Sequence, residues 1–164
     1  MRELFRFPDP VNEVSARLVA GGVVLMSAAT LLFDQPWLLF VIAYGFVARV
    51  FTGPTLSPLG TLVTRVITPR LPFAERPTPG PPKRFAQGIG ATLSVAAVVA
   101  EWGFGATSVA YILVGMIIVA ASLEAFAGFC LGCKIFAILM RLGVIPESVC
   151  EACADITKRR PASA

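Results

Sequence analysis

The sequence predicts an all-α membrane protein. Four transmembrane helices form two hairpins, both termini face the cytoplasm, a short interfacial helix joins the hairpins, and a C-terminal cytoplasmic helical segment follows. Three observations carry this prediction. Hydrophobic residues make up 56% of the 164-residue chain and charged residues only 15%, whereas a soluble domain needs roughly 25% charged residues to cover its surface. The apolar residues, with a mean hydropathy of +0.77 over the whole chain, gather into four long runs. All 14 lysines and arginines lie where an up-down-up-down path returns to a single side, which the positive-inside rule assigns to the cytoplasm of a plasma (inner) membrane.

Residues 1–13 form a polar tail with two prolines and three acids, and no small-residue cleavage site follows the first apolar run. That run is therefore expected to remain a span. The first hairpin occupies residues 14–51. Its first helix covers 14–33, broken only by Arg17, and Asp34, Gln35 and Pro36 make the turn. The second covers 36–51, with Arg49 near its end. The second hairpin occupies 85–133, with helices over 85–100 and from about residue 106 to 127, the latter containing Glu124. Spans two and three fall short of the ~20 residues that cross a bilayer, so Arg49, Lys83 and Arg84 are expected to snorkel.

Residues 52–84 form the cytoplasmic loop. Ser57 and Pro58 read as an N-cap and a first helical residue. Leu59, Leu62, Val63, Val66 and Ile67 repeat at helical spacing, giving an interfacial helix over 58–68 with its apolar face toward lipid. Five prolines between residues 72 and 82 predict an extended linker. Small residues near the start of spans one and three hint at a parallel repeat. Gly45 and Gly115 are expected at helix contacts.

The chain has no histidine, which excludes serine–histidine triads, histidine metal ligands and histidine proton relays. Its basic charge serves topology rather than nucleic acid. Glu124 lies about 27 Å along its helix from residue 106, hence near the cytoplasmic boundary, and a structural charge pair with Arg49 is expected. In a continuous helix Cys130 and Cys133 sit about 240° and 180° around from Glu124. Only a break at Gly128 brings them together.

Chemistry concentrates in Cys130, Cys133, Cys150 and Cys153, two Cys-x-x-Cys pairs in residues that follow the last span and enter the C-terminal segment, 134–164. In a reducing compartment such pairs point to transient redox chemistry or metal rather than a stable disulfide framework. One reading makes Cys130 and Cys133 a redox pair that relays disulfides or persulfide sulfur, with Cys150 and Cys153 resolving. A helix start after Gly128 favours thiolate at the first pair, assisted by Lys134. Glu147, Glu151 and Asp155 oppose thiolate at the second. The partner is then a soluble thioredoxin-like or sulfurtransferase protein. The other reading is a non-enzymatic membrane scaffold whose four cysteines hold structural zinc or, with the same ligands, an iron–sulfur cluster. A channel or transporter ranks below both for want of a midplane polar residue.

Several stretches together resemble the bacterial membrane family domain of unknown function 4395. They are Pro-Asp-Pro-Val-Asn-Glu at 8–13, Gly-Phe-Val-Ala-Arg at 45–49, Gly-Pro-Thr-Leu-Ser-Pro at 53–58, Pro-Pro-Lys-Arg-Phe-Ala-Gln-Gly at 81–88, and Leu123-Glu124 followed by Gly-Phe-Cys-Leu-Gly-Cys at 128–133. The resemblance spans nearly the whole chain and looks actinobacterial in type. It implies that Cys130 and Cys133 are the shared centre, since the second pair is not universal in the family. It implies no particular reaction.

Overall fold

The Asn12 side chain accepts a hydrogen bond from the Val14 amide at 3.0 Å and opens the first helix, α1, Glu13–Leu32. In the computed structural model, which describes residues 7–72, 76–150 and 153, α1 ends at a turn where Asp34 takes a positive φ of 50°. The second helix, α2, covers Leu38–Thr52. A short helix α3, Pro58–Leu62, runs on as a wider turn over Val63–Ile67 and a tighter one over Thr68–Arg70. Helix α4 covers Gly80–Val98 and continues as a widened turn over Val99–Gly103. Helices α5, Thr107–Ala127, and α6, Leu131–Arg141, complete the set.

Three of these helices are long and apolar enough to cross a membrane: Glu13–Leu32, Gly80–Gly103 and Thr107–Ala127. Helix α2 is apolar but has 15 residues, about 22 Å at 1.5 Å per residue against a hydrocarbon core of ~30 Å. Pro36 limits it at one end, and Gly53, at φ 62°, turns the chain at the other.

Helix α1 packs mainly on α5, and α2 mainly on α4; α4 also meets α5 and α6. Ala20, Val23, Ile42, Phe46, Ile117 and Ala121 form one buried cluster. Leu39, Ala97, Ala100, Ala110 and Val114 form a second. The outward faces are equally apolar: Leu25, Ile112, Met116 and Val119 are all exposed. Water would not favour such a surface over an area this large.

The linker departs from the extended form expected through residue 82. The helix begins at Gly80 and runs through both Pro81 and Pro82. The first turn of a helix has no intrahelical use for its N–H groups, so proline there costs nothing. The N-terminal segment secures this start. Two-residue strands β1, Val11–Asn12, and β2, Pro77–Thr78, pair antiparallel, and the Asp9 carboxylate accepts from the Gly80 amide at 2.9 Å. Neither contact is visible in local sequence.

The interfacial segment is partly seated on protein. Val63 is buried, the Leu59 side chain lies over Gly22 of α1, and Ser15 and Thr68 share a hydrogen bond of 2.9 Å. Leu62 and Val66 remain exposed. Gly45 faces the Arg49 side chain of its own helix rather than a neighbouring helix, and Gly115 faces open space, so neither makes the expected helix contact. Gly90 and Gly132 do. A Cβ on Gly90 would fall 2.2 Å from the Phe46 ring, and one on Gly132 2.6 Å from the Ala86 Cα.

The Gly132 contact generates a test, because its neighbour is backbone that cannot rotate aside. Gly132→Val should force α6 off α4, lower stability by about 1–3 kcal/mol and speed alkylation of the buried Cys130. A thermal melt in detergent, with peptide-resolved labelling, reads both effects.

Candidate dithiol site

Gly128 is the residue on which the site turns. It adopts the left-handed conformation, φ 65°, at no steric cost. Its N–H donates to the Glu124 carbonyl at 3.2 Å and the Phe129 N–H to the Leu123 carbonyl at 3.0 Å, which closes the end of α5. Arg17 of α1 caps the same end, donating from Nε to the Ala125 carbonyl (3.1 Å) and from Nη2 to the Phe126 carbonyl (3.0 Å). A cation there answers the negative end of the helix dipole. Two residues after Gly128 the chain starts a new helix, with Cys130 as the N-cap of α6.

An N-cap side chain normally supplies an oxygen to the free amides of the first turn. Here sulfur takes that place: Cys130 Sγ accepts from the Cys133 amide at 3.4 Å. The Cys133 Sγ is 2.7 Å from Cys130 Sγ, nearer than non-bonded contact but short of the ~2.05 Å of a disulfide. Both cysteines are free. Cys130 is buried, while Cys133 is partly exposed.

The hydrogen bond from the Cys133 thiol holds the Cys130 thiol below its ordinary pKa. Lys83 and the Cys133 amide act in the same direction, against burial and the charge of Glu124. That same hydrogen bond pushes the Cys133 thiol upward, with burial and the Cys130 charge adding to it. The pair is therefore poised as a Cys130 thiolate and a Cys133 thiol donor.

The expected Arg49–Glu124 pair is replaced. Glu124 pairs with Lys83, Nζ to Oε1 at 2.5 Å, and both side chains are largely buried. Lys83 lies on the first turn of α4, within the cytoplasmic loop expected over residues 52–84 and just past the expected linker; the earlier helix start brings it to α5. Arg49 instead donates to Gln87 Oε1 at 2.9 Å and Ser57 Oγ at 3.0 Å, with its guanidinium 4.7 Å from the Phe46 ring centroid. The break at Gly128 does bring Glu124 and the first cysteine together, for both line one cavity of about 90 Å³. Sequence reasoning assigned no role here to Lys83, Gln87 or Arg17. The available signal was that Lys83 and Gln87 are four apart and share a helix face.

Cys150 and Cys153 are joined to each other by a disulfide, with Cα atoms 5.2 Å apart. It closes a very short loop, so it constrains the unfolded chain little and is no disulfide framework. Among the described residues no group of three or more His, Cys, Asp and Glu side chains is arranged to hold a metal ion. Glu151 and Asp155, expected around the second pair, lie outside the described residues, as do Arg2, Arg6 and Lys158 to Arg160.

With this geometry in view, the comparisons with known proteins settle the family. The profile described as domain of unknown function (DUF4395) matches residues 11–141. The chain belongs to the DUF4395 family. The matched stretch contains the whole of α1 to α6, and with them Lys83, Glu124, Cys130 and Cys133; Cys150 and Cys153 fall beyond it. No curated protein and no solved structure matches the chain.

The electrostatics of this DUF4395 site predict opposite shifts from neighbouring substitutions. Alkylation of Cys130 by iodoacetamide should persist below the ~8.5 midpoint of a free thiol. Cys133→Ala and Lys83→Met should each move that midpoint up, since each removes a group that favours thiolate. Glu124→Gln should move it down, since it removes a neighbouring negative charge. Peptide-resolved rates across pH 5–10 check all three signs.

Proposed function

We propose that this DUF4395 protein is a four-span membrane protein of the plasma (inner) membrane, with both termini cytoplasmic. Its cytoplasmic-face dithiol exchanges disulfides or sulfur with a soluble thioredoxin-like or sulfurtransferase partner. The reading of topology is supported by the distribution of charge. Arg17, Arg49, Lys83, Arg84 and the cysteines lie at one end of the bundle. Asp34 and Glu101 lie at the other, with Tyr111 donating to Asp34 and Phe40 against Trp102, ring centroids 5.5 Å apart. Aromatics at an acidic end and cations at the opposite end match the interfacial pattern of a spanning bundle. Helix α2, though short, packs along α4 and completes the second return path.

The observation that carries the function is the pair of sulfurs at 2.7 Å, with Cys130 capping a helix N-terminus. Exposure and leaving-group strength divide the work. In the oxidised pair, a partner thiolate attacks the more accessible sulfur, Cys133. The Cys130–Cys133 bond breaks, a mixed disulfide forms at Cys133, and Cys130 leaves as the thiolate that its surroundings favour. Thiols of lower pKa leave faster. The partner's second thiol then loses its proton and attacks the partner sulfur of the mixed disulfide, which frees Cys133 as a thiolate. Two electrons pass from the partner dithiol to this protein; of the partner's two protons one goes to solvent when the attacking thiolate forms, and the other ends on Cys133, leaving Cys130 as thiolate. Sulfur transfer would use the reduced pair: the Cys133 thiolate attacks the outer sulfur of a partner persulfide, the partner S–S bond breaks, a Cys133 persulfide forms and the partner leaves as a thiolate.

Cys130→Ser should accumulate mixed disulfides formed when Cys133 attacks an oxidised partner, because in that reverse direction Cys130 is the sulfur that would expel the partner. Cys133→Ser should accumulate several-fold fewer, since the remaining sulfur is buried. Non-reducing gels of cells trapped in acid, followed by mass spectrometry, read the difference. Empty traps in both variants count against exchange. One zinc per purified chain, lost in any single Cys→Ser variant, would replace it with a structural metal site.

Topology has its own check. In a chain with all four cysteines replaced by serine, Gln35→Cys should react with a membrane-impermeant maleimide in intact cells, and Ala164→Cys should react only after lysis. The reverse pattern places the dithiol outside.

A further inference from the structure

The basic end of the bundle contains more buried positive charge than its carboxylates answer. Lys83 and Glu124 form the only ion pair among the described residues. Arg49 is 5% exposed, yet its partners, Gln87, Ser57 and the Phe46 ring, are all neutral. The Glu124 carboxylate acts on it only across the site, without contact, and is itself paired with Lys83, so Arg49, Lys83 and Glu124 together keep one net positive charge in a place where charge is costly to bury. Two of its nitrogens, Nε and Nη1, are engaged; Nη2 donates to no described residue. The Gln87 carbonyl is taken up by Arg49, which leaves the Gln87 amide N–H groups as donors.

These unused donors belong to residues that line a cavity. Arg49, Gln87, Glu124 and Cys130 contribute to its wall, and Phe46 and Ile117 to its apolar side. Its volume, about 90 Å³, equals the share of roughly three waters in the liquid and suits a ligand of a few non-hydrogen atoms. Glu124 would repel an anion, but Lys83 neutralises it from 2.5 Å. A planar guanidinium edge beside an amide donor is the recognition chemistry of an oxyanion.

We propose that this cavity is a binding site for one small oxyanion of the sulfate, phosphate or sulfite type, held by Arg49 and Gln87 on the inner side of Cys130. When the Cys130 thiol is protonated or oxidised, the bound anion supplies the counter-charge that the thiolate otherwise provides. The same chemistry is offered by a free inorganic anion and by the phosphate of a lipid headgroup reaching in from the bilayer. The site goes beyond the dithiol reading, because its donors are on Arg49 and Gln87 rather than on the exchanging sulfurs.

The test uses full-length protein in phospholipid-free detergent, titrated with sulfate and with phosphate by calorimetry. Saturable binding is expected, retained in Cys133→Ser, whose side chain does not line the cavity, and weakened about tenfold or more in Arg49→Gln, the effect of one lost charge-assisted contact. Gln87→Ala should weaken it several-fold, and that milder variant covers the chance that Arg49→Gln misfolds. In parallel, native mass spectrometry counts phospholipid retained by protein extracted gently. Lipid that is held by the wild type, lost in Gln87→Ala and competed by sulfate supports the oxyanion site and assigns its source to the headgroup. Absence of saturable binding to either ligand, or equal binding by all variants, overturns the proposal. Because Cys133→Ser, which disables the dithiol, should still bind the anion, failure of the mixed-disulfide traps and failure of anion binding are separate results.

Discussion

The structure depends on how charge is held inside an apolar bundle. Lys83 on α4 and Glu124 on α5 meet where neither can reach bulk water freely. Removing either alone would strand the other, at a cost typically of ~3–5 kcal/mol. The pair therefore fixes two helices in register at the end where the cysteines lie. Its effects on the thiols oppose each other, Lys83 favouring thiolate and Glu124 disfavouring it. The ammonium and the carboxylate set the electrostatic background against which the hydrogen bond from Cys133 decides which sulfur carries the charge.

Gly128 has the complementary geometric role. A continuous helix would carry the two thiols away from Glu124. The left-handed glycine ends α5 and lets α6 begin on Cys130, so one residue creates both the exposed amides that face the sulfur and the proximity to the charged pair. Gly132 then allows α6 to lie directly on Ala86 of α4. The division between a buried sulfur with the lower pKa and a more exposed sulfur with the higher one follows from that packing. It matches the asymmetry that stepwise exchange needs between attacked and leaving sulfur.

Much of this was legible in the residues themselves. The apolar runs located the helices because a segment of ~20 apolar residues has no other stable placement, and the Ser57-Pro58 start read correctly because N-cap and first-turn preferences are local. The linker prolines were misleading. Pro81 and Pro82 look like helix breakers, but at the first turn they are compatible with a helix, and Asp9, 71 residues away, caps that start. The partner of Glu124 was misassigned for the same reason: with the helix extended back to Gly80, Lys83 rather than Arg49 comes within reach. Strand pairing of Val11 with Thr78 has no local signal, since two residues carry no periodicity.

By itself, the sequence determined the apolar helices long enough to cross a membrane, the family and the presence of two Cys-x-x-Cys pairs. Each of these is a property of composition or spacing along one stretch of chain. Only the tertiary structure decided which cation answers Glu124, which sulfur is buried, that Cys150 and Cys153 bond to each other, and that Arg49 is left with neutral neighbours beside a cavity. The charged contact joins side chains 41 positions apart, and such energies depend on distance and on exclusion of water, quantities that exist only once the helices have packed.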